Sequence, residues 1–193
     1  MSTELSTTAG IEPTGTAGST ARPDGQLTAL ILGFFAAAWF GWAHGGAPAT
    51  WSIPLTVGSL ASLAVAVLGG VRTWRQRHCL TAANDRAASR RYGIIVGNTY
   101  LVIALGAVAL GTTGHAAYVA PWVASVVGVH FWALVPVLKD RTLIPLGVIV
   151  VAVALCAVVL ASSTSMPASV ITGAGTGTAL LLAAVHGLLR RQS

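Results

Sequence analysis

Six apolar stretches follow one another along the chain, each without Asp, Glu, Lys or Arg: Leu27–Ala43, Trp51–Val71, Tyr92–Leu110, Tyr118–Leu138, Leu143–Ala161 and Ala168–Leu189. A bilayer's hydrocarbon core of about 30 Å is crossed by about 20 helical residues at about 1.5 Å each. Each stretch therefore predicts a membrane-spanning helix, the first short but rich in aromatics. None shows the residue-by-residue alternation that a membrane β-barrel strand requires. The expected fold is all-α, a polytopic membrane helix bundle of six transmembrane helices.

Polar segments between the spans sort into two kinds. After the first, third and fifth come Gly45-Gly46-Ala47-Pro48, Thr112-Thr113-Gly114-His115 and Ser162 to Met166, all uncharged. After the second comes a basic segment from Arg72 to Arg91, which holds six of the eleven Lys and Arg residues. After the fourth comes Lys139-Asp140-Arg141, and after the sixth Arg190-Arg191. With Arg22 ahead of the first span, every cation falls on one side. The positive-inside rule makes that side cytoplasmic. The expected location is the cytoplasmic membrane, multi-pass, with both termini in the cytoplasm.

Composition strengthens this picture. Hydrophobic residues make up 54% of the 193 and charged residues 8%, whereas soluble domains carry about a quarter charged residues. A net charge of +6 would point to nucleic acid if it lined a soluble face. Confined to one set of loops, it marks topology, and no nucleic-acid partner is expected. The lipid bilayer is the expected partner, with anionic lipid head groups attracted to Arg72–Arg91. Residues 1–25 combine Ser, Thr, Gly, Ala and Pro with few charges. They lack the basic start and apolar run of a signal peptide and read as a disordered cytoplasmic tail. Residues 26–191 form the expected transmembrane domain.

Aromatic and small residues fit the same frame. Trp39, Trp42, Trp51, Tyr118 and Trp122 gather toward the outer ends of their spans, Trp74 and Tyr92 toward the inner ends. Interfacial anchoring explains such a distribution; aromatic lining of an outward-facing pocket is the alternative. Gly173 and Gly177 form a Gly-x-x-x-Gly pair on the sixth span, and Gly58, Ser59, Ala61 and Ser62 a small-residue stretch on the second. Both suit close helix packing. The two cysteines, Cys79 and Cys156, lie at different depths and offer neither metal spacing nor a disulfide framework.

With no charge inside any span, few groups can carry chemistry. Ion-coupled transport generally relies on an intramembrane charge, so an uncharged cargo fits better. Asn98 lies about 10 Å from the cytoplasmic end of the third span and His130 about 13 Å from the same end of the fourth. A short outer loop joins these spans as antiparallel neighbours, which lets the two groups meet at similar depth. Thr99, Tyr100 and Trp132 are close in sequence and complete the candidate polar site. Such a pair either joins two helices by a hydrogen bond or forms a polar spot in a cavity, with His130 as base, proton shuttle or ligand contact. His44 and His115, near the outer ends, are either solvent-exposed or a periplasm-facing metal or pH-sensing pair. His130 and His186 differ in depth by about 7 Å, which does not suit a bis-His haem. No cofactor and no metal are expected.

Two motifs bracket the same groups: Tyr92-Gly93-Ile94-Ile95-Val96-Gly97-Asn98 and Val127-Gly128-Val129-His130-Phe131. In them the chain resembles a group of small bacterial, commonly actinobacterial, six-helix integral membrane proteins, mostly uncharacterised. Their Tyr-Gly-x-x-x-Gly-Asn and Val-Gly-x-His-Phe motifs are often followed by Leu-Pro-Leu, where this chain has Trp132-Ala133-Leu134 and a later Pro136. The resemblance implies a membrane helix bundle and carries no activity with it. The expected function is binding or passing a neutral or hydrophobic small molecule within the bundle. An intramembrane enzyme acting on an isoprenoid or polyketide, with His130 as acid or base, is the alternative, and an accessory subunit of a larger membrane complex a third. So narrow a bundle leaves a homodimer or a larger membrane partner open.

Overall fold

A computed structural model describes residues 25–76, 86–138 and 140–189. Among them are six helices long and apolar enough to cross a membrane: α1 (Gly25–His44), α2 (Ser52–Gln76), α3 (Arg86–Thr112), α4 (Val119–Leu138), α5 (Leu143–Ser163) and α6 (Ala168–Leu189). The described residues form an all-helical molecule of the multi-pass membrane type. The N-terminal tail, the centre of the basic segment with Cys79, Lys139 and Arg190–Arg191 lie outside the described residues.

Helix starts follow local chemistry. Pro54, Pro121 and Pro145 each sit in the first turn of a helix, where the missing amide has no intrahelical partner to lose. Asp140 accepts hydrogen bonds from the Thr142 amide (2.9 Å) and hydroxyl (2.7 Å), fixing the tight turn into α5. Gly114, at φ 79°, turns the chain after α3.

The helices run on past the expected ends of the spans in one place. α2 continues beyond Val71 to Gln76, and α3 begins at Arg86 rather than Tyr92. Much of the basic segment is thus the emergent ends of two helices. Arg, Gln and Ala are good helix formers, and no Pro or Gly interrupts these turns.

Close contacts fix the order of packing. Gly173 on α6 lies under the Trp39 carbonyl of α1, where an added Cβ would come within 2.7 Å of the oxygen. Gly177 faces Phe40 and the Ala36 carbonyl. The Gly-x-x-x-Gly pair is therefore the seam between α6 and α1. Gly128 of α4 and Gly147 of α5 face each other's carbonyls in the same way. α1 lies between α2 and α6, α5 between α4 and α6, and α3 packs on α4. Neighbours are antiparallel, so Gly25 and Gly187 meet at one end of the bundle. That end also carries Arg75, Arg90 and Arg141.

The core lies among α1, α4, α5 and α6, built on Leu32, Ala36, Trp39, Phe131, Val150 and Leu180. Trp39 is only 5% exposed, unlike Trp42 and Trp51 at 40%. It is a core residue stacked on Trp42 at 5.3 Å rather than an interfacial anchor. Tyr118 and Trp122, at the same end of the bundle, are each 36% exposed.

Candidate functional site

α3 and α4 run antiparallel and meet along their length. At the end away from the charged one the Trp122 indole lies against Gly106, which has no side chain to hold it off. Toward the charged end, His130 Nδ1 lies 2.8 Å from Thr99 Oγ1. Both residues are partly buried. Ile95, one turn from Thr99, packs against the core, and Phe131 beside His130 belongs to it.

The Thr99 hydroxyl also lies 2.8 Å from the Ile95 carbonyl. That carbonyl can only accept, and the hydroxyl has one proton. Both bonds form together when the hydroxyl donates to Ile95 and the imidazole Nδ1–H donates to the hydroxyl. The neutral ring then carries a lone pair on Nε2, which has no hydrogen-bond partner among the described residues. A helix–helix bond thus sets the tautomer, and the second nitrogen is left as an acceptor.

The other members of the expected site are distributed differently. Asn98 is exposed and lies on another face of α3 from Thr99, because adjacent helical positions are about 100° apart. Tyr100 is 59% exposed. Trp132 turns to α5, where its indole N–H donates to the Ile144 carbonyl at 3.1 Å and its ring covers Gly147. The structure therefore joins His130 and Thr99, and places Asn98, Tyr100 and Trp132 elsewhere.

His44 and His115 have separate partners. His44 Nε2 meets the Thr56 hydroxyl of α2 at 3.3 Å, and His115 Nδ1 meets its near neighbour Thr113 at 3.3 Å. Among the described residues, no three His, Cys, Asp or Glu side chains gather where they could hold a metal ion.

Two features were not anticipated from sequence. The Thr172 and Thr176 hydroxyls on α6 are fully buried without a partner. A helical Thr can turn its proton to the carbonyl four residues back, as Thr178 does to Ala174, so their burial demands no ligand. A groove of about 400 Å³ opens between α1 and the charged end of α2, lined by Leu30, Gly70, Val71, Thr73, Trp74 and Arg75. The pairing of Trp74 with Arg75 was its only signal in sequence. No family model, no curated protein and no solved structure matches the chain.

Proposed function

We propose that this protein is a cytoplasmic-membrane protein, with both termini in the cytoplasm, that binds or passes a neutral, largely hydrophobic small molecule. The observation that carries the reading is the Thr99–His130 bond, which leaves Nε2 as a hydrogen-bond acceptor on a partly buried ring. Such an acceptor, on a helix whose stretch carries no charge, suits a lipophilic molecule bearing one hydroxyl or N–H group. The spans hold no Asp, Glu, Lys or Arg to recognise an ion. At the charged end, the groove beside Trp74 and Arg75 suits an acyl chain with an anionic head group, consistent with a cytoplasmic leaflet there.

The test is to purify wild type and His130→Ala in lipid nanodiscs and extract each for small molecules by mass spectrometry. A lipophilic compound bound to wild type and absent from a folded His130→Ala protein is the expected result. The same complement of molecules in both would sink the proposal. Vesicle uptake or efflux of the compound, lost in the variant, would distinguish passage from simple binding.

The Nε2 lone pair also favours a second reading, an intramembrane enzyme on an isoprenoid or polyketide in which His130 takes a proton from the substrate. Product formation by the purified protein, abolished by His130→Ala, separates catalysis from binding.

A further inference from the structure

α3 stands apart from the other spans. No residue of its apolar stretch is buried, while 22% to 44% of the corresponding stretch is buried in each of the others. Away from α4 it presents Ile94, Asn98, Leu101, Leu105 and Val108, at alternating spacings of four and three residues. The four aliphatic members are 53% to 63% exposed. This 3.5-residue repeat is the spacing that keeps two helices in register along a seam.

Spacing alone does not call for a partner. α2 exposes Ile53, Val57, Leu60, Val67 and Val71 with a similar repeat, and acyl chains satisfy that wholly aliphatic surface. The α3 series differs by one residue. Asn98 is the only Asn within the six spans, it is exposed, and it sits about 10 Å inside the charged end. Its side chain is too short to reach the head groups from there. A carboxamide facing hydrocarbon without hydrogen bonds is costly.

We propose that a second copy of this chain docks along α3, the two α3 helices running parallel about a twofold axis along the membrane normal. All copies insert with one orientation, so a twofold pair brings each residue of the seam to its own counterpart at the same depth. Asn98 then meets Asn98 of the second copy. A carboxamide is both donor and acceptor, so two identical ones satisfy each other. Ile94, Leu101, Leu105 and Val108 pack above and below, and the single polar position within an apolar seam fixes the register. Thr99 and His130 lie on the opposite contact, so the dimer leaves their bond in place.

The test uses the full-length protein in liposomes over a range of protein-to-lipid ratios, with subunits counted by single-molecule photobleaching. Wild type should populate dimers. Asn98→Leu should lower the association constant roughly five- to thirty-fold, the range for interhelical hydrogen bonds in model membrane helices. Asn98→Gln should retain most of it, and circular dichroism checks that each variant keeps its helices. With the native cysteines replaced, single cysteines at Ile94, Leu101 and Leu105 should cross-link between copies, and those at Gly97 and Ala104 should not. Monomers at every density, dimers indifferent to Asn98→Leu, or cross-links at Gly97 and Ala104 in place of Ile94, Leu101 and Leu105 would each overturn the proposal. Acyl chains alone, or a different helix, would then cover α3.

Discussion

The Thr99–His130 bond can be measured apart from the packing around it. Thr99→Val removes the hydroxyl but keeps the branched shape, and His130→Leu removes the ring nitrogens. Each single change also disturbs something else: the first breaks the bond to the Ile95 carbonyl, the second alters packing beside Phe131. A double-mutant cycle cancels those side effects and leaves the pairwise coupling. Interhelical hydrogen bonds in membranes average about 0.6 kcal/mol and reach about 1.7. At 2.8 Å the Nδ1–Oγ1 contact is at the short end for a nitrogen–oxygen bond. It also joins α3 to α4, the one helix on which α3 packs extensively. A coupling of about 1 kcal/mol is expected, about a five-fold change in the unfolding equilibrium. Reversible unfolding by steric trapping in bicelles reads it directly. Additivity within about 0.3 kcal/mol would refute the reasoning, because the ring and hydroxyl would then share a place without holding one another. The same cycle run on ligand retention asks a different question. If Thr99 sets the imidazole tautomer, Thr99→Val should weaken ligand binding more than it weakens the fold.

Three further outcomes follow from the packing and the charges. Gly173→Val should destabilise by about 3 kcal/mol or more in the same unfolding assay, since the new side chain meets the Trp39 carbonyl and Ala43, whereas Gly97→Ala, with open space at its Cβ, should change stability by less than about 1 kcal/mol. Trp132→Phe should cost about 0.5–1.5 kcal/mol through the lost bond to Ile144 and leave ligand retention unchanged, since the indole faces α5. With the native cysteines replaced, cysteines at Thr113 and Ser165 should react with an impermeant maleimide in intact cells and one at Thr142 should not; the reverse pattern would invert the proposed topology.

Depth was legible in the sequence because it is one-dimensional. Counting residues from Arg91 and Lys139 put Asn98 and His130 at similar distances from one end, and Thr99 differs from Asn98 by only about 1.5 Å in rise. Direction around the helix was not legible. In a soluble helix the polar face shows which side is turned away from the core. In α3 the side toward α4 and the side away from it are both apolar, with Ile95 on one and Leu101 on the other. Nothing in the pattern chose between Asn98 and Thr99. Trp39 was placed among the outer aromatics for the same reason: its depth matched theirs, and only packing shows that it turns inward.

The two neighbouring polar residues of α3 are turned to different sides: Thr99 to α4, and Asn98 to an exposed face. Asn98 and Thr99 are about 100° apart around the helix axis, so one helix cannot turn both toward the same partner. Once Thr99 is committed to His130, Asn98 is held away from α4 and cannot share that site. A rotation of α3 that brought Asn98 to His130 would draw Ile95 off the core, part Thr99 from His130 and swing Gly106 from under the Trp122 ring. The Gly106–Trp122 contact is therefore a second hold on the rotation of α3, at the end away from the charged one. Gly106→Leu would force the ring away and free the helix to turn, which should weaken the Thr99–His130 coupling although the substitution lies about 10 Å along the axis from Thr99. An unchanged coupling in that variant would show that the polar pair, rather than the aromatic contact, sets the orientation of α3.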